Sequence, residues 1–507
     1  MADELDRLRA ENASLKEQVR ILKGAVFGRK SEKLTDENQD WLFNEIELYA
    51  KSTLSITPEK EENKLARKKK KVGRKALQAN LPRKEIIHEL DKDEKICACG
   101  AELKHIGTDT TERLDYIPAR MEVQKHVRHK YACRKCEGTA DESTPAVRMP
   151  PLASLIPGSI ATSGLIAHIL TSKFCDALPF YRQEKIFERL GVELSRSNMC
   201  KWALRASEAC DGLLKLMEAK VISGNVIGID ETTLKVLNEK GSENRQKSFM
   251  WLLRGGPPVE PVLLYRHRQD RRSHFLKDIL KDYSGAIVTD GYAAYDEIGT
   301  SNGIIHAGCW AHARRKFVEL SKASANPATA SFALERIGKL YHIENELREG
   351  NFDAASVLKV RRTESHPIIS ELKKWLDENV ELAPPKSLLG KAINYSLNQW
   401  NKLTSFLEDG AIPIDNNFTE NGIRPYVIGR KNWLFAGNPA GADASATLYS
   451  LIETAKANGL EPYWYLRFIF ELLPYLENDE GLESLLPWNL SMEEIQGFFG
   501  DAGKAFG

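Results

Sequence analysis

Two short runs constrain this chain more than any other feature: Val226-Ile227-Gly228-Ile229-Asp230 and Ala286-Ile287-Val288-Thr289-Asp290. Each is almost wholly apolar until it closes on an aspartate. A run this short without polar alternation has no face to offer water. It reads as a strand covered on both sides, and such strands need helices above and below their sheet. Residues 249–253 and 262–265 read as two more strands joined as a hairpin, and residues 274–280 as a helix. Strands mixed with helices point to an α/β sheet core. In open α/β sheets ligands gather at the carboxyl ends of strands, which makes Asp230 and Asp290 the first candidates for chemistry. A pair of aspartates there suits a hard divalent cation such as Mg2+ or Mn2+.

The chain has 507 residues, too many for one ordinary domain. Hydrophobic residues make up 42% and charged residues 28%, as in soluble globular proteins. No apolar run is long enough for a membrane span, and the opening Met-Ala-Asp-Glu-Leu lacks a signal peptide's apolar core; a cytoplasmic location is expected. Lys and Arg number 72 against 71 Asp and Glu, so the bulk charge does not advertise a nucleic-acid partner. The distribution says more. Arg67, Lys68, Lys69, Lys70 and Lys71 form a dense basic run inside a polar linker, residues 51–84. Such a run is either a solvated linker or an arm on DNA phosphates. Before it, within residues 1–50, Leu5, Asn12, Val19 and Val26 recur every seven residues, and so do Leu8, Leu15 and Leu22. This is an a/d seam about three heptads long, expected to form a coiled-coil dimer or, failing that, one amphipathic helix packed on its own domain.

Residues 85–148 read as a small module with two cysteine pairs, Cys97 and Cys99, then Cys133 and Cys136. The second pair has the spacing that lets two thiolates grip a tetrahedral zinc, and the first is tighter but able to chelate. Four sulfur ligands leave no open position, so the expected Zn2+ is structural and stabilises a module with few large apolar residues. Residues 155–220 turn helical. A stripe with Leu165, Ile166, Ile169 and Leu170 is followed by Pro179 at a helix start, by Gly191 as a stop, and by Ser195 or Ser197 as the next cap. That next helix puts Met199, Trp202, Ala203 and Ala206 on one face and Asn198, Lys201 and Arg205 on another. The pattern fits a helix-turn-helix reading DNA with those three polar residues, or an ordinary helical bundle. The sheet core is expected over 221–316 and 412–447, interrupted by a helical insertion at 317–411, with a helical tail at 448–507.

A third carboxylate would complete a two-cation site. Glu420 is the candidate, inside a short helix expected to start at an Asp415 cap and stop at Pro425; Asp415 is the rival ligand. His306, Cys309 and His312 form a weaker metal-binding alternative.

Several long motifs together resemble the insertion-sequence 66 family of transposases. They are Phe27-Gly28-Arg29-Lys30-Ser31-Glu32-Lys33, the cysteine module, Leu178-Pro179-Phe180-Tyr181-Arg182-Gln183-Glu184, Asp230-Glu231-Thr232, and Thr289-Asp290-Gly291-Tyr292. Cys309-Trp310-Ala311-His312-Ala313-Arg314-Arg315 follows, then Ile414-Asp415-Asn416-Asn417, Arg424-Pro425, and Gly429-Arg430-Lys431-Asn432-Trp433-Leu434-Phe435. The resemblance spans nearly the whole chain. It implies a multidomain protein with a ribonuclease-H-like catalytic core and an Asp, Asp, Glu triad, carried here by Asp230, Asp290 and Glu420. It implies cleavage at double-stranded transposon ends and strand transfer into target DNA, a homodimer or higher oligomer, and small accessory proteins as possible partners. Cys309 and His312 match a Cys-x-x-His motif of related transposases. His312, Arg314, Arg315, Arg424, Arg430 and Lys431 are expected to contact DNA. Asn421-Gly422 departs from the family, where an Arg or Ser and a small residue are common. A DNA-binding regulator without catalysis and a nuclease without strand transfer are the alternatives.

Overall fold

A computed structural model describes residues 121–132, 147–148, 152–238, 248–299, 303–323, 328–476 and 479–500. The heptads, the basic run and the four clustered cysteines lie outside the described residues.

The centre is a five-stranded mixed sheet. Its strands are β1 (Val226–Leu234), β2 (Ser248–Gly255), β3 (Val262–Arg268), β4 (Ala286–Val288) and β5 (Ile305–Ala307). Their spatial order is β3-β2-β1-β4-β5. The first three form an antiparallel meander, while β4 and β5 run parallel to β1. The apolar runs are strands, as their composition requires. Ile227, Ile229, Ile287 and Val288 are at most 1% exposed.

Before the sheet come α1 (Ser163–Phe174), α2 (Phe180–Arg189), α3 (Arg196–Ala209) and α4 (Asp211–Ile222). Ser195 caps α3 by accepting from Asn198 N, and Gly191 takes φ +79° in the preceding turn, where a side chain would be strained. Met199, Trp202, Ala203 and Ala206 are buried, while Asn198, Lys201 and Arg205 are exposed, as the periodicity predicts. Next along the chain, α5 (His274–Ile279) lies between β3 and β4.

After β5, α6 (Trp310–Ala323), α7 (Ala328–Glu349), α8 (His366–Val380) and α9 (Leu388–Asn398) build a second apolar core. It includes Trp310, Phe317, Ile337, Leu372 and Ile393, and is continuous with Ala286 and Val288 of β4. Residue 317, the expected start of the insertion, lies inside α6.

The chain then returns through α10 (Asn417–Trp433), α11 (Pro439–Ala457) and α12 (Pro462–Leu472). Strand β3 is at the edge of the sheet, where unpaired backbone groups would invite aggregation. Here α11 covers it: Leu263 N donates to Thr454 Oγ1 at 3.0 Å, and Tyr265 N to Ser450 Oγ at 2.8 Å. The match is metric. Four helical residues rise about 6 Å, close to the roughly 6.6 Å of two strand residues. None of the helices formed by the described residues is long and apolar enough to cross a membrane.

Candidate active site

Contrary to expectation, neither aspartate is the last residue of its strand: Asp290 lies just past the end of β4 and Asp230 within β1. Strand β4 stops at Val288, two residues before Asp290, whereas β1 continues past Asp230 to Leu234 because it also pairs with β2. The parallel register still aligns the two. It pairs Gly228 with Val288, so Asp230 and Asp290 each follow two residues later on neighbouring strands.

Glu420 reaches them from α10. Pro425 does not stop this helix, which runs on to Trp433. A mid-helix proline forfeits one backbone hydrogen bond, but here Ile423 and Tyr426 on either side are buried, and Tyr426 packs among Tyr265, Tyr449 and Trp433. Tertiary packing outweighs the local penalty. Asp415 is not the cap; Asn416 holds that position. Asp415 sits one residue earlier, buried, and accepts from Asn417 N and Nδ2 at 3.0 and 2.7 Å.

A close approach lets α10 dock. At Gly228 a methyl group would collide with the Thr419 hydroxyl and come within 2.9 Å of Asn416 Oδ1. Asn416 Nδ2 donates to Ile229 O at 2.9 Å, in the buried seam between helix and strand. Gly228 is thus the residue that allows Glu420 to stand over β1. Glycine inside an apolar strand is the sequence signal for such an approach.

The electrostatics follow from that convergence. Burial pushes the Asp230 carboxyl up to about 8, and the charges of Glu231, Glu420 and Asp290 push in the same direction, against one hydrogen bond from Glu231 N. Among the described residues neither Asp230 nor Asp290 has an ion pair. Asp290 Oδ1 accepts from Tyr292 N at 2.9 Å. Glu420 is better surrounded: His312 Nδ1 lies 3.5 Å from Oε1, Cys309 Sγ 4.0 Å from the same oxygen, and Arg315 Nη2 3.9 Å from Oε2. Burial raises the Cys309 thiol far above its ordinary range, so it is a neutral thiol that accepts from Asn416 N at 3.3 Å.

These residues fit a divalent cation by their donor set. Three carboxylates offer oxygen, two of them lacking a cationic partner, and a buried acid facing like charges is relieved by a hard cation. Among the described residues, the ligand atoms that gather within 4.8 Å of one another are those of Cys309, His312 and Glu420; Asp230, Asp290 and Glu420 do not form so close a group. His306 does not join that group. Its Nε2 pairs with Thr289 Oγ1 at 2.8 Å, and burial, with Lys402 nearby, lowers its pKa to about 4.

A cleft of about 360 Å³ opens beside Asp290, lined among others by Arg271, His312, Arg315, Lys316 and Tyr395. Its cations suit a phosphate backbone. A larger hollow of about 750 Å³, beside Lys373 and Trp400, contains none of the three carboxylates. Of the other expected DNA contacts, Arg424 is half-buried and Lys431 exposed. Arg430 is turned inward, with Nη1 on the Thr232 and Thr233 hydroxyls at 3.0 and 3.2 Å. Sequence reading missed Glu231 and its partners. Its carboxylate is 2% exposed, bound by Arg271 on one oxygen and by the Tyr295 hydroxyl on the other. Arg271 also stacks 3.6 Å over the Tyr292 ring, bracing the turn that carries Asp290.

Residues 158–444 match the family model described as Transposase IS66 family. The model for the zinc-finger binding domain of the same transposases matches residues 94–137, which span all four clustered cysteines. Residues 450–488 match the IS66 C-terminal element, and residues 14–86 a model described as Transposase C of IS166 homeodomain. Among curated relatives, the uncharacterized protein y4qI of Sinorhizobium fredii is 33% identical, the match covering 97% of this chain and 93% of the relative. The uncharacterized protein y4jD of the same organism is 30% identical, with 98% of each chain covered.

Proposed function

Because the chain belongs to the IS66 family of transposases, we propose that it binds the terminal inverted repeats of an insertion sequence and performs divalent-cation-dependent DNA cleavage and strand transfer. Asp230, Asp290 and Glu420 are the proposed catalytic residues. The observation that carries this reading is the Asp230 carboxyl, half-buried, partly desolvated and facing the charges of neighbouring Glu231 and of Glu420 and Asp290, two acids distant in the chain. A structural acid is paired; an acid left in that position is poised for a cation. A ribonuclease-H-like core is supported by the mixed sheet, with Asp230 on its central strand and Asp290 just beyond the end of the parallel neighbour.

Asp230, Asp290 and Glu420 would hold Mg2+ or Mn2+. When bound, such cations activate the attacking oxygen and stabilise the leaving one. The attacking group is water for cleavage and the freed 3′ hydroxyl for transfer, so no covalent enzyme intermediate is needed. Arg271, Arg315 and Lys316 hold the phosphates beside Asp290. Cys309 and His312 orient Glu420. The exposed Asn198, Lys201 and Arg205 face of α3 reads the terminal repeat, helped by the basic run, and the heptad segment pairs two ends. Zinc on Cys97, Cys99, Cys133 and Cys136 folds the small module; elemental analysis should find about one zinc per chain, lost in Cys133→Ser with Cys136→Ser.

The test is a terminal-repeat duplex incubated with protein and Mg2+ or Mn2+. Nicking at the end followed by joining to target DNA is expected. Binding without nicking would instead identify a DNA-binding regulator, and nicking without joining a nuclease.

A further inference from the structure

The outer face of α10 continues beyond Glu420. Successive turns present Glu420, Arg424, Ile428 and Lys431, within one arc of the helix, while Thr419, Ile423 and Tyr426 face the core. Ile428 is 50% exposed. The helix then ends on two bulky apolar residues in water, Leu434 at 63% and Phe435 at 45% exposure. One exposed leucine is ordinary. Three further observations make this tip unusual.

Its backbone is strained. Leu434 has φ +67° and ψ −43°, and Phe435 N donates to Trp433 O at 2.9 Å. This is a γ-turn of positive φ, a rare turn for which glycine is the cheap residue. Strain at a bulky residue persists only where the surroundings impose it.

Those surroundings are bonded to the tip. Ala436 N donates to Lys235 O and Leu237 N to Ala436 O, both at 2.9 Å, so the segment after the tip pairs with the continuation of β1, the strand of Asp230. Trp433 is wedged against the Tyr426 ring and under the Lys173 ammonium of α1. The tip is therefore braced from the sheet and from the helices before it.

Its flanks are cationic. No acidic residue occurs between Glu420 and Asp443, whereas Arg424, Arg430 and Lys431 do, and the β1 continuation adds exposed Lys235. An apolar tip within a stretch free of acids suits a polyanion better than an acidic protein.

We propose that the outer face of α10 is a DNA track, with Glu420 at the scissile phosphate, Arg424 and Lys431 on the backbone, and Leu434 with Phe435 as an apolar wedge that unstacks a base step. The inference rests on the catalytic reading for its starting point. Fourteen helical residues from Glu420 to Leu434 span about 21 Å, roughly six base pairs of duplex. Apolar side chains inserted between base steps distort DNA in this way.

The probe is the terminal duplex of the chain's own element, with 2-aminopurine placed at each position in turn. Full-length protein should raise the fluorescence at one site about six base pairs from the cleavage point. Leu434→Gly relieves the turn and is expected to fold at least as stably, yet to lose that rise; with Phe435→Ala added, cleavage should return when the same step is mismatched in advance. Asp230→Asn should keep the rise and lose cleavage. Unstacking that persists in Leu434→Gly with Phe435→Ala overturns the wedge. So does a change of oligomeric state in that variant without loss of the rise, which would assign the tip to a second copy. If the wild type unstacks through Leu434 but never cuts, the wedge stands and the catalytic reading falls; cutting with Leu434-independent unstacking sinks the wedge alone.

Discussion

Two regions of this molecule take ionisable groups out of water, and they do it in opposite ways. Among the helices that follow β5, Arg361 and Glu344 are 3% and 8% exposed and form a two-pronged pair, both contacts at 2.7 Å. The remaining guanidinium nitrogen donates to Phe406 O and Asp409 O at 2.8 and 3.0 Å. That region is electrostatically complete, which is what a buried ion pair must be if it is not to destabilise the fold. Around Asp230 the arrangement is reversed: a half-buried acid among acids, stabilised by one backbone N–H. Satisfied charge ties those helices together. The acid on the central strand has no such partner, which fits the cation proposed for it.

The contrast is broken most sharply by removing one charge from each region. Asp230→Asn is expected to lower end cleavage by about three orders of magnitude or more, since a cation ligand there stabilises the transition state by several kcal/mol. DNA binding and the melting temperature should not fall, because a buried like-charge repulsion is also removed. Substantial residual cleavage would falsify the assignment.

Arg361→Met should behave in the opposite sense, destabilising by about 3–5 kcal/mol by stranding Glu344 in the interior. Calorimetric or denaturant unfolding measures this. Adding Glu344→Leu should recover most of the loss, and failure to recover would mean that the backbone contacts at Phe406 and Asp409, not the pair, carry the stability.

Gly228→Ala tests how the two acids on different elements are brought together. An added methyl in the α10 seam should cost about 1–3 kcal/mol. Cleavage should drop further than stability alone explains, because Glu420 is displaced with the helix. Equal losses in both would show that the seam is merely structural.

The smallest effect expected is in pH dependence. Asp230 has an ordinary value of 3.8 and is raised to about 8 in the metal-free fold. Between those values the native state holds a proton that the unfolded chain has released. Native stability from this group is thus present below the lower value and declines as pH rises toward the higher one. Saturating Mg2+ should flatten that decline, and a decline unchanged by the cation would argue against Asp230 as a ligand.

Much of the sheet was legible because its signals are local. Wholly apolar runs, the hairpin and the amphipathic face of α3 each depend on neighbours a few residues away, and the Asp, Asp, Glu candidates stood out through their motifs. The helix through Pro425 was not legible. Local rules favour a stop there, and only the burial of Ile423 and Tyr426 reverses them. The Glu231 partnership with Arg271 and Tyr295 was hidden for a related reason. On one strand, adjacent carboxylates look alike until the surrounding elements determine which one is paired.

By itself, then, the order of residues determined where strands and helices form and which side chains were chemically equipped. Tertiary structure alone decided which of them meet. Register across β1 and β4 aligns two aspartates, and the missing side chain at Gly228 admits the helix bearing Glu420. Both are properties of contact between distant segments: a short window can flag Gly228 as a place of close approach, but not which helix comes to it.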